Sequence, residues 1–386
     1  MKRPTVTAVV FEGGQARSDV EDEIIQVRKE ICLDTLEKLT RVPEIDGVIL
    51  VSNHSDLVRR AEEIGVLTRL TGVRKFHFGS ELRDVIVDFH IDNVLYLSGG
   101  AVPLLTEAEF LQVAIELKRR KNVVVMNNVQ SADLIAFSPA RAIDEVPLPD
   151  RDNLLGTLLK DIGLRRVLIP NSGRVNFDID TPTDVLILGL HPSCGERARR
   201  AIQNLSWNRK NIMRAWDLLR DGCREIAVLG RVGPSVITYI NSNMVHRMRV
   251  FSEERGMKAL GREEQGAVVS LIGHFVEALG AEQFFRYLGT VADCAFFDTR
   301  VVFAHLKKHF SDRERFNSDL MRWEAIEDSW LREFTRVSQQ ASIPVVLGGH
   351  SLVSAGLWVM AETVVAERGQ PDYQRGTEIM PRVITS

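Results

Sequence analysis

Asp178 and Asp180 stand two residues apart in the run Asn176-Phe177-Asp178-Ile179-Asp180-Thr181-Pro182-Thr183-Asp184. On an extended segment such residues point the same way, so the pair suits a shared divalent cation. Thr181 caps a following helix, with Pro182 in its first turn and Asp184 at its third position. The cap accounts for those three residues but not for both Asp178 and Asp180. A second stretch, Phe11-Glu12-Gly13-Gly14-Gln15-Ala16-Arg17, follows an apolar run and precedes a helix. Gly13 and Gly14 let backbone N–H groups approach phosphate oxygens and Arg17 offers a counter-charge, although a plain tight turn fits the same residues. In a third, Ser98-Gly99-Gly100-Ala101-Val102-Pro103-Leu104-Leu105-Thr106, a strand ends in a small-residue turn and Thr106 caps the next helix.

The second half offers three further strand-to-helix turns. Gly230-Arg231-Val232-Gly233-Pro234-Ser235 repeats the phosphate-cradle logic, with Arg231 and Ser235 as contacts; a plain turn is the competing reading. Asp298 and Arg300 follow another strand, where a ligand site, a solvated rim or a helix cap would all place charge. Gly348-Gly349-His350-Ser351-Leu352-Val353 looks like a serine-hydrolase elbow, but Val353 is too large and no histidine follows Ser351. His350 and Ser351 suit polar contacts to an anionic ligand better. His305 and His309 are spaced as in a zinc helix, yet Leu306 replaces the required glutamate, and both read as surface residues.

These residues need a scaffold, and the pattern supplies one. Short β-branched runs begin at Thr5, Asp46, Val73, Asn93, Asn122, Asp133 and Arg165, and segments of helical spacing over 24–41, 55–65, 81–90 and 107–120 lie between the earlier ones. The alternation predicts an α/β fold with a mostly parallel sheet covered on both faces, and ligands at the carboxyl ends of its strands. From about residue 196 long amphipathic stretches, 196–221, 262–290 and 312–341, take over, with strands at Glu225, Arg247, Asp293 and Ile343 among them. A helix-rich α/β second domain follows. The expected boundaries are 1–192, 193–368 and a polar tail over 369–386. The five tryptophans are expected to pack the core.

In their order, the three motifs of the first half resemble the MobA-like nucleotidyltransferases. That family opens with a Gly-Gly-x-Ala-Arg loop, here Gly13 to Arg17, and closes with an Asp/Asn-x-Asp/Asn-Thr-Pro-x-Asp segment, here Asp178 to Asp184. The resemblance covers residues 1–190. It implies a three-layer fold of the nucleotide-diphospho-sugar-transferase type, an NTP over the first loop, and Mg²⁺ between the acidic segments at Asp178 and Asp180. Lys29 falls where the family carries a phosphate-binding lysine, and Arg28 competes for the role. One departure stands out: where the family has a metal-holding aspartate two residues before a proline, this chain has Ala101. Gly99 and Gly100 open room at that point for nucleotide or for a different ligand.

Composition narrows the classes. The chain has 386 residues, 45% apolar and 26% charged, which is ordinary globular usage. A balance of 49 basic against 52 acidic residues gives a net charge of −3, without the basic excess of a nucleic-acid binder. No apolar run approaches a membrane span, and the opening run is too short for a secretory signal. Four scattered cysteines form no metal or disulfide pattern, so a cytoplasmic setting is expected. The resulting expectation is a cytoplasmic enzyme moving an NMP from an NTP to a small phosphorylated or acidic acceptor, with homo-oligomerisation open. A non-catalytic nucleotide- or metabolite-binding scaffold is the alternative, and a nucleotide-sugar-dependent glycosyltransferase is supported by fold analogy alone.

Overall fold

The computed structural model describes residues 4–72, 76–129 and 132–369; the expected tail beyond 369 lies outside them. The first sheet comprises β1 (Val6–Glu12), β2 (Gly47–Ser52), β3 (Leu67–Leu70), β4 (Asn93–Ser98), β5 (Val123–Met126), β6 (Leu134–Ser138) and β7 (Arg165–Leu168). Their order across the sheet is β3-β2-β1-β4-β6-β5-β7. All neighbours run parallel except β6, which is antiparallel to both β4 and β5. Val, Ile, Leu and Ala fill the five strands between the two edges because both their faces are buried. Helices α1 (Asp19–Thr40), α2 (Ser55–Glu63), α3 (Phe78–Asp88), α4 (Glu107–Arg119) and α5 (Leu155–Asp161) cover them. Thr106 and Glu109 close a capping box on α4, as expected from the sequence.

The strand expected from Val73 is not where the sheet has one. Residues 73–75 lie outside the described residues, Phe76 and His77 are not in a strand, and α3 begins at Phe78. Leu67–Leu70 pairs with β2 instead. At the sheet edge this strand buries little, so it lacks the apolar signature that marks the central strands.

After α6 (Gly173–Asn176) and α7 (Pro182–Leu190), the second half builds a parallel sheet of β8 (Glu225–Gly230), β9 (Arg247–Ser252), β10 (Cys294–Asp298) and β11 (Val345–Gly348), in the order β11-β10-β8-β9. Its helices are α8 (Glu196–Gln203), α9 (Lys210–Arg220), α10 (Pro234–Asn243), α11 (Leu271–Leu279), α12 (Ala281–Val291), α13 (Arg300–His305), α14 (Asp312–Asp319), α15 (Ser329–Gln339) and α16 (Leu357–Glu367). Each of the three long amphipathic stretches is thus broken. Gly280, at φ +77°, ends α11 and begins α12 in a conformation that favours glycine. One apolar core includes Val27, Ile31, Phe177 and Ile187 from the first half together with Trp216, Val228, Phe296 and Leu352 from the second. Trp207, Trp216 and Trp358 are buried in it. No helix among the described residues is long and apolar enough to cross a membrane.

Candidate functional site

The three motifs of the first half are hydrogen-bonded to one another in sequence. The Gly99 N–H donates to the Phe11 carbonyl at 2.8 Å, and the Ile179 N–H donates to the Gly100 carbonyl at 3.2 Å. Ala101 and Asp178 then form an antiparallel bridge. The loop after β1, the turn after β4 and the acidic segment therefore meet at the carboxyl end of the sheet. Gly13, Gly14 and Arg17 are exposed there. Asn53, just beyond β2, fixes the loop: its Oδ1 accepts the Gly14 N–H at 3.1 Å and its Nδ2 donates to the Gly14 carbonyl at 3.0 Å. Gly14 has φ +145°, where a side chain is strained.

Beneath this loop lies a feature with no sequence signature. Glu12 is 1% exposed and accepts from Arg28 Nη2 at 3.2 Å. A Cβ on Gly99 would stand 2.4 Å from Glu12 Oε2, and one on Gly100 would stand 3.0 Å from Arg28 Nε. The room these glycines open is filled by the chain's own ion pair, which corrects the expectation of space there for another ligand. Burial pushes the Glu12 carboxyl up, against the opposing pull of Arg28. Lys29 is paired: its buried ammonium donates to both oxygens of Asp56, each at 3.1 Å, and its charge also acts on Glu12. Of the two neighbouring cations, Arg28 is the one near the acidic segment, where its charge meets that of Asp180.

Asp178 is half-buried and Asp180 exposed. A third carboxylate, Asp133, joins them. Antiparallel β6 starts where the parallel strands end, so Asp133, immediately before β6, arrives at the same edge. Burial, then Asp180, then Asp152 push the Asp133 carboxyl up to about 7. Burial, Asp180 and Asp133 raise that of Asp178. Asp184 holds the backbone N–H groups of Asp180 and Thr181 through Oδ2, at 3.2 and 2.8 Å, and Ser351 and Arg300 also act on its buried carboxylate. Burial and Asp180 push the Asp184 carboxyl up to about 7. These are hard oxygen donors under mutual repulsion, a setting that fits Mg²⁺.

The carboxyl edge of the second sheet is built differently. Arg231 donates to Asp298 through Nε at 2.6 Å and Nη2 at 3.0 Å, and Arg300 donates to Asp319 through Nη1 at 2.8 Å and Nη2 at 2.5 Å. Both pairs are buried. Burial acts upward on Asp298, but Arg231 holds its carboxyl below the usual range. Asp319, on α14, carried no sequence signal because its partner lies on another helix. Ser235 accepts from Asn171 Nδ2 at 3.2 Å, and Ser351 donates to the Asp178 carbonyl at 3.4 Å. Thr183 donates to the Leu347 carbonyl at 2.7 Å. His350 and Ser351 thus lie against the acidic segment, whereas Arg231, Asp298 and Arg300 are committed to internal pairs. The His350 ring is pushed down to about 4, by desolvation first and Arg231 second. His309 is exposed, and His305 meets His274 and Glu277 in a group whose ligand atoms lie within 4.8 Å of one another. The His305 Nδ1 accepts the Ser270 N–H at 3.2 Å, which leaves the proton on the other ring nitrogen and opposes metal binding there.

This topology defines a two-sheet α/β protein with its polar motifs at the carboxyl edges. No family model matches the chain, and no curated protein matches it. Among solved structures, a cytidylyltransferase from Leptospira borgpetersenii aligns at 13% identity and a TM-score of 0.38, covering 54% of this chain and 100% of that one. A nucleotidyl transferase from Methanothermobacter thermautotrophicus aligns at 15% and 0.37, covering 47% and 94%. A 4-diphosphocytidyl-2C-methyl-D-erythritol synthase from Anaerococcus prevotii aligns at 16% and 0.36, covering 47% and 95%. Overlaps this loose carry neither activity nor ligand over to this chain.

Proposed function

We propose that this chain is a nucleotidyltransferase-like protein that moves an NMP from an NTP to a small phosphorylated or acidic acceptor. The observation that carries this reading is the lacing of Phe11 to Gly99, Gly100 to Ile179 and Ala101 to Asp178, which brings the glycine loop beside the acidic segment. In the proposed step an acceptor oxygen attacks the α-phosphorus, the bond from that phosphorus to the β-bridging oxygen breaks, and pyrophosphate leaves with the electron pair. Gly13 and Arg17 receive the phosphates, and Asp178 and Asp180 would hold Mg²⁺. The ion, when bound, supplies neutralisation of the charge on the phosphate oxygens. His350, neutral at pH 7 and next to Ser351, which touches the Asp178 carbonyl, would line the acceptor side. The test is calorimetric titration of GTP, CTP, ATP and UTP with and without Mg²⁺, on the native chain and on Asp180→Asn. Micromolar binding of one nucleotide that needs both Mg²⁺ and Asp180 supports the reading; indifference to either sinks it.

A second reading is favoured by the Glu12–Arg28 pair and by Ala101: a scaffold that binds a nucleotide or metabolite without transferring it. Nucleotide binding indifferent to Mg²⁺, with no pyrophosphate released for any acceptor, would distinguish it.

A further inference from the structure

Beside its buried pairs, the carboxyl edge of the second sheet carries a cation that the chain leaves uncompensated. Of the charged residues that follow β9, Glu253 accepts from the Ser270 hydroxyl at 3.0 Å and Glu254 accepts from Arg262 Nη2 at 2.7 Å. Arg255, next in line, is exposed and has no side-chain hydrogen bond or ion pair among the described residues. The His350 ring and the Asp180 carboxylate are likewise exposed and without a hydrogen-bond partner there.

Short bonds between loops draw these three groups to one mouth. The Glu253 N–H donates to the Gly230 carbonyl at 2.9 Å and the Ser252 hydroxyl to the Val232 carbonyl at 3.0 Å, so the loop carrying Arg255 is tied to the turn after β8. That turn is tied to the one after β11, because the Gly233 N–H donates to the Val353 carbonyl at 3.2 Å. The turn after β11 lies on the acidic segment: a Cβ on Gly349 would stand 3.2 Å from Thr181 Cγ2, and the Ser351 hydroxyl meets the Asp178 carbonyl. The charges of Arg255 and Asp180 both reach the His350 ring. Ser235, at the start of α10, adds a hydroxyl that Asn171 of the first half holds.

We infer that Arg255 and His350 receive the oxyanion of the acceptor, a phosphate or carboxylate group, at the mouth between the second sheet and the acidic segment. The inference rests on the reading given under Proposed function and names the group by which the acceptor is held. A guanidinium offers parallel N–H donors to such a group, and a neutral imidazole adds one N–H. Asp180 repels the same anion. The acceptor is therefore oriented with its anionic end at Arg255 and the rest of the molecule toward Asp180.

The experiment follows the His350 imidazole resonances of the full chain by NMR, assigned with His350→Gln, while inorganic phosphate or acetate is added in millimolar amounts. Native chain, Arg255→Met and Arg17→Met are compared. Expected is a saturable shift with at least one anion, weakened about tenfold or more in Arg255→Met and within about threefold of native in Arg17→Met. A response to phosphate alone supports a phosphorylated acceptor, and an equal response to acetate supports a carboxylate. Arg255→Met should melt with the native chain, since an exposed residue without partners is removed. An unmoved His350 signal in the native chain overturns the inference, as does equal affinity in native chain and Arg255→Met, or loss of the response in Arg17→Met alone. Nucleotide titration separates that failure from failure of the transferase reading: NTP binding that needs Mg²⁺ and Asp180 leaves the reading standing even where the anion response is absent. If no nucleotide binds and the anion response still depends on Arg255, the transferase reading falls, and the oxyanion site stands as that of a metabolite-binding scaffold.

Discussion

The two sheets end in opposite electrostatic states. At the first edge, Asp133, Asp178 and Asp180 face one another, and Arg28, the nearest cation, is paired with Glu12. At the second edge, Arg231 meets Asp298 and Arg300 meets Asp319, each in a two-pronged pair sealed from water. Strand ends of both sheets attract charged residues for the same reason, the convergence of backbone dipoles and loop space. What separates a candidate ligand site from structural polarity is whether the charge is already cancelled within the chain.

The largest effect should come from breaking a cancelled pair. Arg300→Met leaves Asp319 buried and unpaired, and a loss of about 3–5 kcal/mol in urea unfolding is expected. A cost below about 1 kcal/mol would mean that the second edge is not held by its pairs.

Next in size is a pH effect at the joint between the two halves. Buried His191, at the end of α7, is pushed from 6.5 down to about 4, by burial first and then by Arg174 and Arg199. Between those values the unfolded chain takes up a proton that the folded chain refuses. The stability contribution is therefore complete above about pH 6.5 and is lost as the pH falls toward 4, by about 3 kcal/mol. His191→Asn should flatten the slope of stability against pH in that window, measured by urea melts at pH 4.5, 5.5 and 7.

Gly99→Ala sharpens the comparison from the side of the first edge. The new methyl would collide with Glu12, and overpacking of this kind costs about 1–3 kcal/mol. The same substitution at Gly222, where nothing lies within 4 Å of a Cβ but φ is +48°, separates crowding from backbone strain. Smallest of all, Asp180→Asn should change unfolding stability by no more than about 0.5 kcal/mol, because an exposed carboxylate among like charges holds nothing in place. A clear destabilisation would move Asp180 from the ligand site to the scaffold.

Much of the scaffold was legible before folding. Six of the seven strands expected in the first half sit where their β-branched runs placed them, and all four expected in the second half are present. The seventh failed because edge strand Leu67–Leu70 is half-exposed and carries no apolar run. Long amphipathic stretches were read as continuous because helical spacing persists across breaks such as Gly280, where only φ reveals the turn. At the site, the Asp178–Asp184 run and the glycine loop were visible as motifs. Asp133 was seen only as the first residue of a strand, and the pairing of Lys29 with Asp56 carried no local signal because the two lie on different helices.

Residue order alone determined the alternation of strand and helix, the caps at Thr106 and Thr181, and the presence of paired acids ahead of a proline-started helix. Those are local matters, governed by side-chain periodicity and by backbone groups a few residues apart. Only the tertiary structure decided that β6 runs backwards and delivers Asp133, that Glu12 and Arg28 fill the space under Gly99 and Gly100, and that Ser351 touches Asp178. These depend on strand direction and on contacts between residues as far as 173 positions apart, where local pattern exerts no force.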